Sequence, residues 1–350
     1  MLMKIGKRMR EALLISHIKP WYLILTVLII VAYPHVFTKS FQQNLGILIL
    51  MWACLGSAWN IFGGYTGQVS LGQAMFFGVG AYGAVLPFYY WNVTPWIGML
   101  IAMFFATLLA LLVALPIFKL SAQYFAIATM ALGETVRIIA VNLPFTKGMM
   151  GIDFLNMKMN PWYSLQFRGK LHYYYFFGVI LMIVISIMIY INSSRIGYYF
   201  RTIKANQTAA ESVGINARKY KTIALVISAC IASLCGSFYA MYQTYIDPST
   251  VFINTLSTKM IIMAVIGGVG TIYGPVIGAA LIVPLGEYTR ATIGATISGI
   301  DLVLYGVLII LTILYQPQGV LKLSGNLIDK VRKMTAGRSA DFVKSLTKRR

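Results

Sequence analysis

Glu134 and Arg137 are the charged residues best placed for chemistry, because they sit inside an apolar run, AQYFAIATMALGETVRIIAVN, where a charge is costly. Their i,i+3 spacing puts both on one face of a helix, where each neutralises the other. Two readings follow. The pair fixes one helix as a scaffold, or it faces a water-filled path; mutual neutralisation leaves less charge for a ligand and favours the scaffold slightly. Other reactive side chains are sparse. His17, His35 and His172 are scattered, and Cys54, Cys230 and Cys235 lie in apolar runs, so neither a disulfide framework nor zinc-ligand spacing is offered. Paired carboxylates and the HExxH, GxSxG and GxxxxGK patterns of hydrolysis and nucleotide binding do not occur. We therefore expect no enzyme, no cofactor and no metal. Energy for work has to come from an ion gradient or another subunit.

Glycine forms a second class of candidate. It is concentrated in GGYTGQVSLGQAMFFGVGAYG, Gly63 to Gly83, and in GGVGTIYGPVIGAALIVPLG, Gly267 to Gly286. Both open on Gly-Gly, with another glycine close behind (Gly67, Gly270) and a further one after it (Gly72, Gly274), which reads as a weak repeat relating two halves. Matched glycine-interrupted segments mark broken helices around a midplane path in transporters, where exposed backbone lines water. Close helix packing through small residues is the competing reading. The candidate path residues are Gly64, Gly67, Ser70, Gly72, Gln73, Glu134, Arg137, Gly267, Gly268 and Gly270.

The elements that must hold these residues are transmembrane helices. Of 350 residues, 59% are hydrophobic and 11% charged, with mean hydropathy +0.75, whereas soluble domains carry about 25% charged residues. Apolar runs near 21–37, 44–64, 66–91, 94–118, 121–142, 173–193, 222–245, 257–273, 275–293 and 298–316 predict about ten spans, the shorter glycine-rich ones broken or re-entrant. The net charge of +20 clusters between spans and at the ends. Positive-inside topology accounts for it better than a nucleic-acid partner does. On this scheme Lys39, Lys147, Lys158, Arg168, Lys170, Lys259 and Arg290 fall outside, Arg137 lies within a span, and the remaining Lys and Arg are inside. Both termini are then cytoplasmic. Residues 1–19 form a basic arm, whose following apolar run is read as a retained helix. Residues 20–320 form the transmembrane domain. The outside loop 143–172 is expected to fold as a small hairpin or flap and to offer a partner surface, and the basic tail 321–350 to meet anionic membrane lipid.

The longest polar break, 194–221, carries Arg201, Lys204, Arg218, Lys219 and Lys221 against Glu211. Ala205, Ala209 and Ala210 favour helix, Asn206 is a candidate N-cap, and Gly214 with Asn216 a candidate stop, so a short helix is expected over 206–213. This is either a docking knob or a solvated loop that sets topology.

Gly64 to Ala74 (GYTGQVSLGQA), continuing Phe76 to Tyr82, resembles the signature of membrane permease subunits of bacterial branched-chain amino acid ABC importers. So do Tyr124–Thr129 running to Gly133, Glu134 and Arg137; Ala209–Ile215 with Tyr220 and Lys221; Gly267–Gly270 with Gly274–Ala279; and Gln316–Gly319. Together these cover roughly 44–320 in the expected order, and the long 143–172 loop resembles the larger of the two permease subunits.

The resemblance implies an all-α polytopic transmembrane helical bundle in a bacterial inner membrane, paired with a second homologous permease subunit. It further implies two cytoplasmic ABC ATPase subunits and a periplasmic or lipid-anchored substrate-binding protein. Ala209, Ala210, Glu211 and Gly214 match the core of the short helix that docks into the ATPase. Asn206, Gln207 and Thr208 stand where relatives often carry acids, a departure that bears on charge pairing with the ATPase. Translocation of branched-chain amino acids by alternating access is the implied function. Urea, short amides or sugars are alternative cargoes, and an ion-coupled secondary transporter of a small polar solute, titrating Glu134, is the alternative class.

Overall fold

The structure, a computed structural model, describes residues 21–118, 120, 122–155, 161–167, 169–292, 299–315 and 319–320. Apart from the one-turn helices Pro161–Ser164 and Pro248–Val251, the helices in chain order are α1 (Trp21–Val36), α2 (Ser40–Trp59, continued by a π-turn over Asn60–Gly64), α3 (Ala74–Trp91), α4 (Pro95–Ile117), α5 (Ala122–Asn142) and α6 (Lys170–Ser193). They continue with α7 (Arg195–Ala205), α8 (Gln207–Ser212), α9 (Ala217–Gln243), α10 (Asn254–Gly267), α11 (Gly274–Thr292) and α12 (Ile300–Tyr315). Six described segments are long and apolar enough to cross a membrane: Ser40–Gly64, Pro95–Ile117, Gln123–Asn142, Lys170–Ser193, Ala217–Gln243 and Pro248–Gly267. This is an all-α polytopic membrane protein. Each of the ten expected runs holds a helix, but α1, α3, α11 and α12 stand outside those six.

α2 is the hub. It is 89% buried over its apolar window and packs against α6, α9, α10 and α11. Small residues set the closest crossings, as expected where lipid gives helices no hydrophobic reason to associate. A Cβ on Gly80 would stand 2.0 Å from the Ser233 carbonyl oxygen, and one on Gly236 2.0 Å from that of Phe77, so α3 and α9 meet backbone to backbone. The Ser237 hydroxyl donates to the Gly80 carbonyl at 2.8 Å across the same crossing. For the later part of the first glycine segment, packing is therefore the correct reading.

The run expected from 66 begins as helix at Ala74; Gly67 stands at φ +76° in the segment before it. The run expected to reach 273 stops at Gly267, followed by Gly268 at φ +130°. Each broken stretch begins at a helix end where a side chain would be strained. Among the described residues, the loop 143–172 forms no hairpin of its own. Its strand β1 (Ile152–Asp153) pairs antiparallel with β2 (Tyr245–Ile246) after α9, Ile152 opposite Ile246. Alternation marked the strand, but its partner belongs to another loop.

The expected short helix is α8. The Asn206 side chain accepts from the Ala209 N–H at 3.1 Å, and Gly214 at φ +85° ends the turn, with the Ile215 N–H donating to the Ala210 carbonyl at 3.0 Å. Asn216 is not part of that stop. It caps α9, accepting from the Lys219 N–H at 3.0 Å. The arm 1–19, the tail 321–350, Lys119, Lys158, Arg168 and Gln316 to Gln318 lie outside the described residues.

Candidate functional site

The two glycine-rich segments, distant in sequence, meet at one point, and the side chain that joins them is Asn60. It lies fully buried in the π-turn. Its amide donates to the Thr271 carbonyl at 2.7 Å and accepts from the Gly270 N–H at 2.7 Å. One side chain thus satisfies a donor and an acceptor of the irregular strand between α10 and α11, which membrane burial would otherwise leave expensive. The glycines around it are required by space. A Cβ on Gly64 would stand 1.9 Å from Asn60 Oδ1 and 2.9 Å from the Gly270 nitrogen, and one on Gly267 1.7 Å from the Gly274 carbonyl oxygen. Gly319 closes the cluster, its notional Cβ 2.4 Å from Gly268 Cα.

From Gly64 the chain turns back along α2. The Trp59 indole N–H donates to the Ser70 carbonyl at 3.0 Å, the Leu71 N–H donates to Thr129 Oγ1 on α5 at 3.1 Å, and a Cβ on Gly72 would stand 2.2 Å from the Thr129 carbonyl oxygen. α3 then starts from within the bundle, the Ala74 N–H donating to Ser257 Oγ on α10 at 2.8 Å. Gln73 is fully buried, its oxygen 3.3 Å from the Ser228 hydroxyl, while its amide nitrogen meets no acceptor among the described residues. Gly67, Ser70, Gly72 and Gln73 are thus one re-entrant connection.

Glu134 and Arg137 stand one layer away. Arg137 Nε donates to Glu134 Oε1 at 2.9 Å and Nη2 to the same oxygen at 2.5 Å. The Asn254 amide, at the start of α10, reaches Glu134 Oε2 at 3.4 Å. The neighbouring Gly133 faces Gly72, a notional Cβ lying 3.4 Å from Gly72 Cα. The pair is therefore joined to the re-entrant connection through α5 and α10. It is not enclosed: the Arg137 and Glu134 side chains are 28% and 38% exposed, and the apolar window of α5 is 22% buried. A half-exposed ion pair on a membrane helix cannot rest against lipid at low cost. That face of α5 is built to meet protein or water. Two apolar cavities of about 590 and 870 Å³ open beside α1 instead; neither is lined by any of these residues.

On the polar side, α8 presents Thr208, Ala209, Glu211, Ser212 and Val213 to solvent, Val213 being 73% exposed. Ala210 points the other way and packs fully buried with Ile203 and Ala217. Its small side chain is thus demanded by its own chain. Gly214 has nothing within 4 Å of a notional Cβ, so its backbone angle, not crowding, calls for glycine.

Sequence reasoning singled out the glycines, Gln73, the ion pair and the α8 residues, but not Asn60, Thr129, Asn254 and Ser257, which hydrogen-bond with them or with their chain neighbours. Asn60 left one signal: a lone amide in an apolar run directly before Gly63 and Gly64.

Compared with known proteins, residues 42–313 match the family described as "Branched-chain amino acid transport system / permease component". The chain is similar to the high-affinity branched-chain amino acid transport system permease protein LivM of Escherichia coli (strain K12), 24% identical over 325 residues, which cover 87% of this chain and 75% of the relative. LivM of Salmonella typhimurium is likewise 24% identical, over 327 residues with the same shares. LivH of Escherichia coli (strain K12) is 29% identical over 143 residues, 41% of this chain and 45% of the relative. No solved structure matches the chain.

Proposed function

The chain belongs to the branched-chain amino acid transport system permease component family, and from that premise we propose that it forms one half of the translocation path of an ATP-driven importer whose cargo is leucine, isoleucine, valine or a close relative. It is the larger type of permease subunit, its similarity running over most of LivM. Its counterpart is a second permease of the LivH kind. Two ATPase subunits work from the cytoplasmic side, and a binding protein delivers cargo outside. Ten spans in two loosely repeated halves place both termini in the cytoplasm; the helices found in all ten apolar runs support that count, and the basic stretch around α7 and α8 supports the orientation. Residues 20–320 act as the transmembrane domain, and the basic tail rests on anionic lipid.

The observation that carries the reading is α8, a capped helix in water that exposes Gln207, Thr208, Ala209, Glu211 and Ser212, with Val213 exposed at its end. It suits insertion into a groove on an ATPase. The Glu134–Arg137 face of α5 and the re-entrant connection from Gly67 to Gln73 supply the path wall, which the buried Asn60 junction with Gly64, Gly267, Gly268 and Gly270 holds in place. Alternating access rocks the two permeases without covalent chemistry on this chain.

Reconstitution with a second permease, ATPases and binding protein tests the proposal. Uptake of radiolabelled leucine, isoleucine or valine is expected to require ATP. Uptake driven by a proton gradient without ATPases would establish the ion-coupled class instead, and ATP-driven uptake of urea, amides or sugars alone would replace the cargo. Cysteine labelling at Ser339 from inside and Lys158 from outside is expected; the reverse at either would overturn the topology.

A further inference from the structure

We propose that Lys204 is the positioning residue through which movement of α8 reaches the Asn60 junction. The inference rests on the reading of α8 as the ATPase-docking helix and adds the route by which a push there arrives at the path. Lys204 is the penultimate residue of α7, and Asn206 both ends α7 and caps α8. α7 and α8 pack as a unit through Ile203 and Ala210, so a displacement of α8 carries the Lys204 backbone with it.

From that backbone the lysine reaches the junction directly. Its Nζ donates to the Gly64 carbonyl at 2.7 Å, the last residue of the π-turn that ends α2. An ammonium at that position satisfies a helix-end carbonyl and complements the negative end of the helix dipole. The aliphatic stem crosses Gly67, where a Cβ would come within 3.2 Å of Lys204 Cγ, and Nζ lies 3.4 Å from a notional Cβ on Gly270. Gly67 and Gly270 both stand at positive φ. At both, the backbone angle calls for glycine, and the lysine passes in close contact. Gly64 in turn abuts Gly270, and Gly270 is held by Asn60. The sequence of contacts therefore runs from α8 through Lys204 to the Gly64 carbonyl, and from there to the strand joining α10 and α11. A cation placed merely to set topology needs no carbonyl partner at the end of α2.

The test uses the complete reconstituted complex. Lys204→Met keeps the stem over Gly67 and removes the ammonium; Lys204→Arg keeps the charge. With Lys204→Met, the ATPases are expected to co-purify as before, while ATP consumed per substrate molecule imported rises at least tenfold; Lys204→Arg is expected to stay within threefold of the unsubstituted chain. A readout independent of cargo is maleimide labelling of Val269→Cys, beside Gly270 and 40% exposed, in a chain whose native cysteines are replaced by alanine. Its labelling rate is expected to change on addition of ATP and orthovanadate when Lys204 is present, and not with Lys204→Met. Unchanged ATP per substrate, or an ATP response that persists in Lys204→Met, overturns the proposal alone. Loss of the ATPases from Lys204→Met makes the lysine a docking residue and overturns it too. No ATP response in the complex that retains Lys204 overturns the coupling reading, and this proposal with it.

Discussion

Two polar groups inside this bundle solve the same problem in opposite ways. Asn60 is sealed, and both its hydrogen bonds go to backbone of the irregular strand between α10 and α11. Glu134 and Arg137 satisfy each other on a helix face left partly open. The first arrangement is complete within one chain, so its geometry is a condition of folding. The second becomes fully sheltered when something else covers α5. Burial therefore separates what holds this subunit together from what it offers to its surroundings.

Substitutions can break that contrast, and their effects on the chain's own assembly should fall in a definite order. Asn60→Leu strands the Thr271 carbonyl and the Gly270 N–H, each costing about 1–3 kcal/mol; the subunit should aggregate or melt far earlier in detergent, read by thermal size-exclusion. Gly267→Ala should follow, since a Cβ 1.7 Å from a backbone oxygen forces backbone shifts of about 1–3 kcal/mol or more. If either variant is as stable as the parent, the junction is not structural.

Glu134→Gln comes next, leaving an unpaired guanidinium at a cost of about 3 kcal/mol if lipid reaches it. The double change Glu134→Gln with Arg137→Met should restore assembly. Uptake then sharpens the comparison: a double variant that assembles but no longer transports makes the pair part of the path, and one that transports normally leaves it a scaffold. The smallest effect on assembly belongs to Ala209→Arg on the exposed face of α8, within about 0.5 kcal/mol. It should nevertheless abolish ATPase co-purification and substrate-stimulated hydrolysis. Retained coupling there would remove α8 from its assigned role. Ala210→Arg differs, because it buries an arginine against Ile203 and Ala217 and should harm the subunit before any partner is added.

Local chemistry in the sequence located more than it connected. Asn206 and Gly214 delimited α8 because capping and positive φ are decided within one turn of chain. Gly67 and Gly268 end helices for the same reason, whereas Gly63 and Gly64 lie within the π-turn. Asn216 was misassigned because a cap for the next helix and a stop for the previous one use the same residue types. Strand β1 was visible in its alternation, but β2 was not visible as its partner, since pairing is fixed by where α9 brings the chain that follows it. Asn60 reaches Gly270 only through tertiary packing of α2 against α10 and α11, which no local pattern encodes.

The π-turn over Asn60–Gly64 has a consequence for kinship. There the Tyr65 N–H returns to the Asn60 carbonyl, five residues back instead of four, so the helix holds one residue more than an α-helix of equal rise. Removing one residue from Ile61 to Gly63 would let this turn close as an ordinary α-turn and leave Tyr65 and Thr66 on the faces they now occupy. A homologous permease whose helix runs here without the extra residue would therefore be one residue shorter before its own Gly-Gly and still present the same face to the strand beyond α10.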